Sequence, residues 1–171
     1  MGDPTAAPKE PRQPRATADE TSVAFDAVDR QILELLQSDG RIRLSELGRR
    51  VRLSPAAVAE RVRRLESTGA VTGYGAHVSA PLLGYGIQAF VRVDPHGGYT
   101  LRHPRTLELI SRPEIIEVHH VVGEDCWILK VAVADTLHLE DVLEQTSALG
   151  RTTTSIVLSS PVPRKPLLPL R

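Results

Sequence analysis

The chain has 171 residues, 41% of them hydrophobic and 25% charged, an ordinary mix for a soluble globular protein of one large or two small domains. Lys and Arg number 21 and so do Asp and Glu, so the total charge points to no partner and only its distribution can. Cys126 is the only cysteine, which excludes an intramolecular disulfide scaffold, and no run approaches the ~20 apolar residues that cross a bilayer or forms a signal-peptide core, so a cytoplasmic protein with no membrane contact is expected.

Residues 1–22 predict a disordered tail: Pro4, Pro8, Pro11 and Pro14 recur among Ala, Thr and charged residues, with nothing apolar to pack. Lys9, Arg12 and Arg15 read either as a solvated face or as phosphate contacts. Residues 23–70 predict three helices. The first starts at Asp26 as N-cap, with Asp29 near the positive end of the helix dipole. Val28, Ile32, Leu35 and Leu36 give its apolar stripe, and Gly40 stops it. The second is short, capped by Ser45, with Leu44, Leu47 and Val51 on its buried side and Leu53 filling the turn after it. The third opens on Ser54 as N-cap and Pro55 at the first helical position, where a missing N–H costs nothing; Val58, Val62 and Leu65 line its inner face and Gly69 ends it.

Two short helices about three residues apart make a helix-turn-helix pattern, although any small bundle shows such helices. Charge discriminates. From residue 41 to residue 64 stand Arg41, Arg43, Arg49, Arg50, Arg52, Arg61, Arg63 and Arg64 against Glu46 and Glu60, with no Lys. Guanidinium groups grip phosphate in bidentate fashion and read guanine edges, whereas a merely solvated face would mix Lys with acidic partners. Arg41, Arg43, Arg61, Arg63 and Arg64 are therefore candidates for binding double-stranded DNA. Arg61 reads as a combined phosphate and base contact, or as an ion pair with Glu60 or Glu66. Ser45 and Ser54 read as caps or as phosphate donors. Base edges would meet the first half of the third helix, where Pro55, Ala56, Ala57, Ala59 and Glu60 stand. Alanines touch thymine methyls but donate nothing, so shape and bending are expected to carry much of the selectivity.

Residues 71–85 form a connecting segment, and residues 86–160 alternate strands with helices. Residues 86–94 put Ile87, Ala89, Val91 and Val93 on one side and Gln88, Phe90, Arg92 and Asp94 on the other, and Pro95, Gly97 and Gly98 end the strand. A helix from about His103 to Arg112 should bury Leu107 and Ile110 before Pro113. In 115–122, Ile116, Val118, His120 and Val122 oppose Ile115, Glu117, His119 and Val121. Gly123-Glu124-Asp125 turns the chain into a strand from Trp127 to Val133. A helix from about Thr136 buries Leu139, Val142, Leu143 and Leu149, Gly150 closes it, and residues 152–159 form the last strand, with Ile156 and Leu158 on one face. The order βαββαβ implies an α+β, ferredoxin-like domain: four antiparallel strands with both helices on one face. The other face stays uncovered within one chain and includes apolar candidates such as Phe90 or Trp127, which suits a two-fold homodimer. Residues 161–171 are a Pro-rich tail whose Leu167, Leu168 and Leu170 could dock on a partner subunit.

No nucleophile elbow, metal-ligand spacing or acid/base carboxylate pair is present, so no catalytic residue, metal site or cofactor is expected and the chain does not read as an enzyme. His119 and His120 are adjacent on a strand and point to opposite faces, which suits an interface better than chelation. Gly73-Tyr74-Gly75 and Gly84-Tyr85-Gly86 lack the context of phosphate loops and read as turns.

Over residues 26–159 the sequence resembles the Lrp/AsnC family of regulators, the leucine- and asparagine-responsive types. The matching stretches are Asp26-Ala27-Val28-Asp29-Arg30-Gln31-Ile32-Leu33, Asp39-Gly40-Arg41, Leu53-Ser54-Pro55-Ala56-Ala57-Val58-Ala59-Glu60-Arg61-Val62-Arg63-Arg64-Leu65-Glu66, Gly69-Ala70-Val71-Thr72-Gly73-Tyr74 and the Gly123 turn. The resemblance implies an N-terminal helix-turn-helix (winged-helix-like) domain, a connecting strand at about Val71 to Val78, and a ferredoxin-like effector domain. It implies a homodimer formed through the effector domains, assembly to an octamer, and a small-molecule effector, typically an amino acid bound between effector domains of neighbouring dimers. His119, Val121, Gly123, Glu124, Asp125, Cys126 and Trp127 are the candidate effector-binding residues. Where the family often has Gly-Asp-x-Asp-Tyr, this chain has Gly123-Glu124-Asp125-Cys126-Trp127, so Glu124 and Asp125 would supply the charge. The function implied is a sequence-specific DNA-binding transcription regulator whose DNA binding or assembly answers to that effector. The alternative is an architectural DNA-compacting protein without one.

Overall fold

The computed structural model describes residues 24–97, 99–123, 126–162 and 164–170. The chain divides into two compact units, residues 1–75 with 166–171, and residues 76–165.

The first unit holds α1 (Ala27–Ser38), α2 (Leu44–Val51) and α3 (Pro55–Ser67). Asp26 and Asp29 form a reciprocal capping box on α1, each carboxylate accepting the other's backbone N–H at 2.8 and 3.1 Å. Ile32 and Leu33 are the buried pair of this helix, while Val28, Leu35 and Leu36 from the expected stripe are half-buried. They pack with Leu47 and Val51 of α2 and with Val58, Val62 and Leu65 of α3. Ser45 does not cap α2: the helix starts two residues earlier, at Leu44, Arg43 is the N-cap without a side-chain bond, and Leu44 is exposed rather than buried. Ser54 does cap α3, accepting the Ala57 N–H at 3.2 Å, with Pro55 at the first helical position as expected. The turn between α2 and α3 is tight: a Cβ on Gly48 would sit 2.6 Å from the Leu53 carbonyl oxygen.

The second unit holds β1 (Ile87–Pro95), α4 (Pro104–Ile110), β2 (Ile115–His120), β3 (Trp127–Val133), α5 (Thr136–Ser147) and β4 (Gly150–Ile156), after a short 3-10 turn at Pro81–Leu83. The strands form one antiparallel sheet in the order β2-β3-β1-β4. Ala89, Val91 and Val93 share a core with Trp127, Leu129, Val131 and Val133, covered by Leu109 of α4 and by Leu139, Val142 and Leu149 around α5. Both helices therefore lie on one face. The expected partners on α4 are displaced by one position: Thr106 and Leu109 are buried, Leu107 is exposed and Ile110 half-buried, because the helix begins at Pro104. A bulge between Ile115 and Glu117 also breaks the simple alternation of β2, so Ile115 and Val118 both pair with core residues, Val131 and Leu129. Residues 71–78, where a connecting strand was implied, make no strand within the chain; Val71 is half-buried and 72–78 are exposed.

The uncovered face carries Phe90, Arg92, Ile128, Lys130, Ala132, Glu117 and His119, by the strand register. Phe90 is on it and exposed; Trp127 is not, and at 3% exposure belongs to the core on the helix side. The face is crossed by charge, with Lys130 bonded to Glu117 at 2.8 Å, which holds that carboxyl below its ordinary range.

Candidate nucleic-acid interface

The eight arginines of 41–64 sort into three groups. Arg49 and Arg50 both close on Glu46, at 2.7–2.8 Å, and pull its carboxyl down to about 2. These are short-range pairs on one exposed helix face.

The second group ties α3 to α1. Arg61 donates to Asp26 at 2.6 Å and to Asp29 at 2.9 Å, and Arg64 bonds the other oxygen of Asp29. The Asp29 backbone N–H and then Arg61 hold the Asp26 carboxyl below its ordinary value; Asp26 and then Asp29 hold the Arg61 guanidinium above its own. Asp29 itself is fully buried, so these cations supply the charge that a desolvated carboxylate requires. Arg61 and Arg64 are thus paired within the fold, with side chains still 29% and 45% exposed. Arg61 does form an ion pair, but with α1, not with Glu60 or Glu66.

The third group is exposed. Arg63 bonds Glu60, and both side chains are about two-thirds open to water. Arg41, Arg43 and Arg52 are exposed and carry no ion pair among the described residues. Arg52, absent from the expected contacts, stands at φ 58 and ψ 42, the left-handed region, at the C-cap of α2. A Cβ there costs about 1–2 kcal/mol, and such strain clusters where a side chain is used. Ser54, Pro55 and Ala56 are exposed at the start of α3, Ala57 and Ala59 are half-buried, and Glu60 is exposed. The unit thus presents an α3 N-terminus with few hydrogen-bonding groups and, among the described residues, guanidiniums without an ion pair at Arg41, Arg43 and Arg52.

The expected effector residues cluster only in part. The Val121 N–H donates to the Cys126 carbonyl at 2.9 Å and the Cys126 N–H to the Val93 carbonyl at 3.1 Å, closing the β2–β3 turn. Gly123 lies in that turn at φ 157, a backbone that side chains rarely adopt. His119 is exposed on the open sheet face and bonded to Glu117 at 3.2 Å. Glu124 and Asp125 lie outside the described residues, as does the N-terminal tail. Trp127, taken into the core beside Val93, offers no exposed ring to a ligand in this chain. An open hollow between α5 and β4 is lined by Thr136, Leu139, Leu143 and Thr152, and by none of the expected effector residues that the structure describes. Among the described residues no group of three His, Cys, Asp or Glu could hold a metal ion, and no helix is long and apolar enough to cross a membrane.

Residues 25–66 match the AsnC-type helix-turn-helix domain, and residues 88–167 match the Lrp/AsnC ligand binding domain. The chain is 40% identical over 140 residues to the HTH-type transcriptional regulator LrpA of Mycobacterium tuberculosis, covering 80% of this chain and 92% of that one. The feast or famine regulatory protein of M. tuberculosis complexed with L-methionine superposes with a TM-score of 0.72 at 35% identity, over 85% of this chain and 100% of that one. A transcriptional regulator of Neisseria meningitidis in complex with L-methionine gives a TM-score of 0.77 at 28% identity, over 84% and 96%. With both domain models matched in order, on the helix-turn-helix and ferredoxin-like units described above, the chain belongs to the Lrp/AsnC family of transcription regulators, a family of regulators rather than enzymes.

Proposed function

We propose that this regulator binds specific double-stranded DNA in the cytoplasm through α3 and the arginines around it, and that an amino acid alters its DNA binding or its assembly. The observation that carries the first half is the set of exposed guanidiniums at Arg41, Arg43 and Arg52 beside the exposed start of α3. Arg63 joins them because its pairing with Glu60 is open to water and yields easily to a phosphate. Ser54, Pro55, Ala56, Ala57, Ala59 and Glu60 meet the groove, with DNA shape supplying much of the discrimination. Ser45, already inside α2, sits in its first turn, where a hydroxyl can reach a phosphate.

The second half rests on the ligand binding domain and on the two relatives solved with L-methionine. His119, Val121, Gly123 and Cys126 mark the turn that would take the effector, together with Glu124 and Asp125. The open sheet face around Phe90 and Ile128 is the surface for a two-fold homodimer, from which an octamer is built. The experiment is a gel shift of DNA from the regulator's own promoter at low and moderate salt, with the twenty amino acids as additives. Salt-sensitive retardation that one amino acid modulates is the expected result. No retardation at low salt refutes DNA binding. Retardation with no response, and no thermal shift by any amino acid, favours the architectural reading, which the hydrogen-bond-poor start of α3 also suits.

A further inference from the structure

A further arginine of the first unit, Arg30 on α1, makes contacts of a different kind. Among the described residues it has no acidic partner; its guanidinium instead bonds the carbonyls of Pro169 and, at 3.0 Å, Leu170. Seven residues on, Gln37 makes a two-way contact with Leu167: its amide donates to the Leu167 carbonyl at 2.8 Å and accepts the Leu167 N–H at 2.9 Å. Residues seven apart stand on one helix face, about 10 Å apart along the axis. The three residues from Leu167 to Leu170, extended at ~3.1 Å each, span about 9 Å. The two spacings match, and the segment runs antiparallel to α1. The contacts read backbone, not side chains. That suits a stretch in which Pro166 and Pro169 hold the chain extended and carry no N–H of their own. Leu167 and Leu170 keep their side chains exposed.

We infer that Arg30 and Gln37 form a docking site on the outer face of α1 for the chain's own residues 166–170, and that this clasp is a second tie on the DNA-binding unit. The chain leaves that unit after Gly75 and re-enters it at Pro166. One connection is the covalent segment after α3. The other exists only while Arg30 and Gln37 hold the tail. A unit held at two points samples fewer positions than one held at a single point, so less orientational freedom is lost when it meets DNA.

The first part of the test does not involve DNA. The Leu167 amide, bonded to Gln37, should exchange its hydrogen about fivefold faster in Gln37→Ala than in the parent, the effect of losing one net hydrogen bond. Equal rates overturn the clasp. The second part rests on the DNA-binding reading. A chain ending at Lys165 and an Arg30→Ala/Gln37→Ala variant, both checked for helical content by circular dichroism, should each weaken promoter binding by about fivefold, and combining them should weaken it no further, since both break one interaction. Additive losses mean that Arg30 touches DNA directly, and unchanged affinity in both means that the tail does not assist binding; either result overturns the tie. If the parent itself fails to bind DNA, that reading fails while the exchange rates still judge the clasp.

Discussion

Replacing Asp29 with alanine is the sharpest probe of how α3 is held. Its carboxylate is fully buried and bonds Arg61, Arg64 and the Asp26 backbone N–H. Breaking a buried ion pair costs about 3–5 kcal/mol when the abandoned charge stays buried. Here the abandoned charges are not fully buried: the Arg61 side chain is 29% exposed and the Arg64 side chain 45%, so water recovers part of their solvation. Arg61 also keeps Asp26 as a partner. The expected loss is therefore about 2–3 kcal/mol, below the fully buried range. Urea unfolding followed by circular dichroism at 222 nm reads it as a lower midpoint with an unchanged slope. A cycle with Arg61→Ala should show a coupling of about 1–2 kcal/mol. A loss under about 0.5 kcal/mol, the size of an ordinary surface substitution, would refute the argument that α1 and α3 are tied through this carboxylate. It follows that replacing Arg61, Arg63 and Arg64 together removes this tie as well as the charges, and a loss of DNA binding in that variant would not isolate phosphate contact.

Arg52→Gly should do two opposite things. Relief of the left-handed conformation raises stability by up to about 1 kcal/mol, read by thermal unfolding, while DNA affinity falls and the slope of log K against log salt decreases by about 1. A variant that loses stability, or binds with an unchanged slope, contradicts the assignment. Gly48→Ala should destabilise the helix-turn-helix by about 1–3 kcal/mol, because the added methyl meets the Leu53 carbonyl oxygen at 2.6 Å; a neutral melting curve would show that the turn can shift. Glu114 gives the pH dependence. Its carboxyl is held down to about 2, first by Arg112 and then by His138, against an ordinary 4.5. A depressed pKa stabilises the fold above the unfolded value, so this contribution, on the order of 2 kcal/mol, is complete above about pH 4.5 and fades as the pH falls toward 2. Glu114→Gln should flatten the acid limb of a stability–pH curve; an unchanged limb would assign acid sensitivity elsewhere.

The two domains, their order and the ferredoxin-like sheet were legible because periodicity and caps are local signals. Ser54-Pro55 and the alternation in 87–93 state their elements outright. The misplacements have local causes too. Ser45 looks like the cap of a helix that in fact opens at Leu44, with Arg43 as the N-cap, and the bulge in β2 adds a residue that no alternation pattern contains. The arginine cluster was visible as a cluster, but its partners were not. Asp29 lies 35 positions from Arg64, and ion pairs were sought among neighbours such as Glu60 and Glu66. A signal did exist. Asp29 stands three and four residues before Ile32 and Leu33, on the face that α1 buries, and a carboxylate there demands a cation from elsewhere in the fold. Arg52 could have been found as a non-glycine residue at the junction between two helices that nearly touch. The docking of 166–170 on α1 joins residues 130 or more apart through backbone groups, which composition does not encode.

On the proposed DNA-binding reading, the pairing of Arg61 and Arg64 with Asp29 has a consequence for non-specific hold on DNA. Hold on random sequence is almost wholly a matter of released counterions, so every arginine already answered within the fold leaves less adhesion to the wrong site. With fewer free charges the molecule would let go of random duplex sooner and visit more positions per unit time. Dwell times on non-cognate duplex, lengthened in an Asp29→Asn variant that still folds, would register that economy directly.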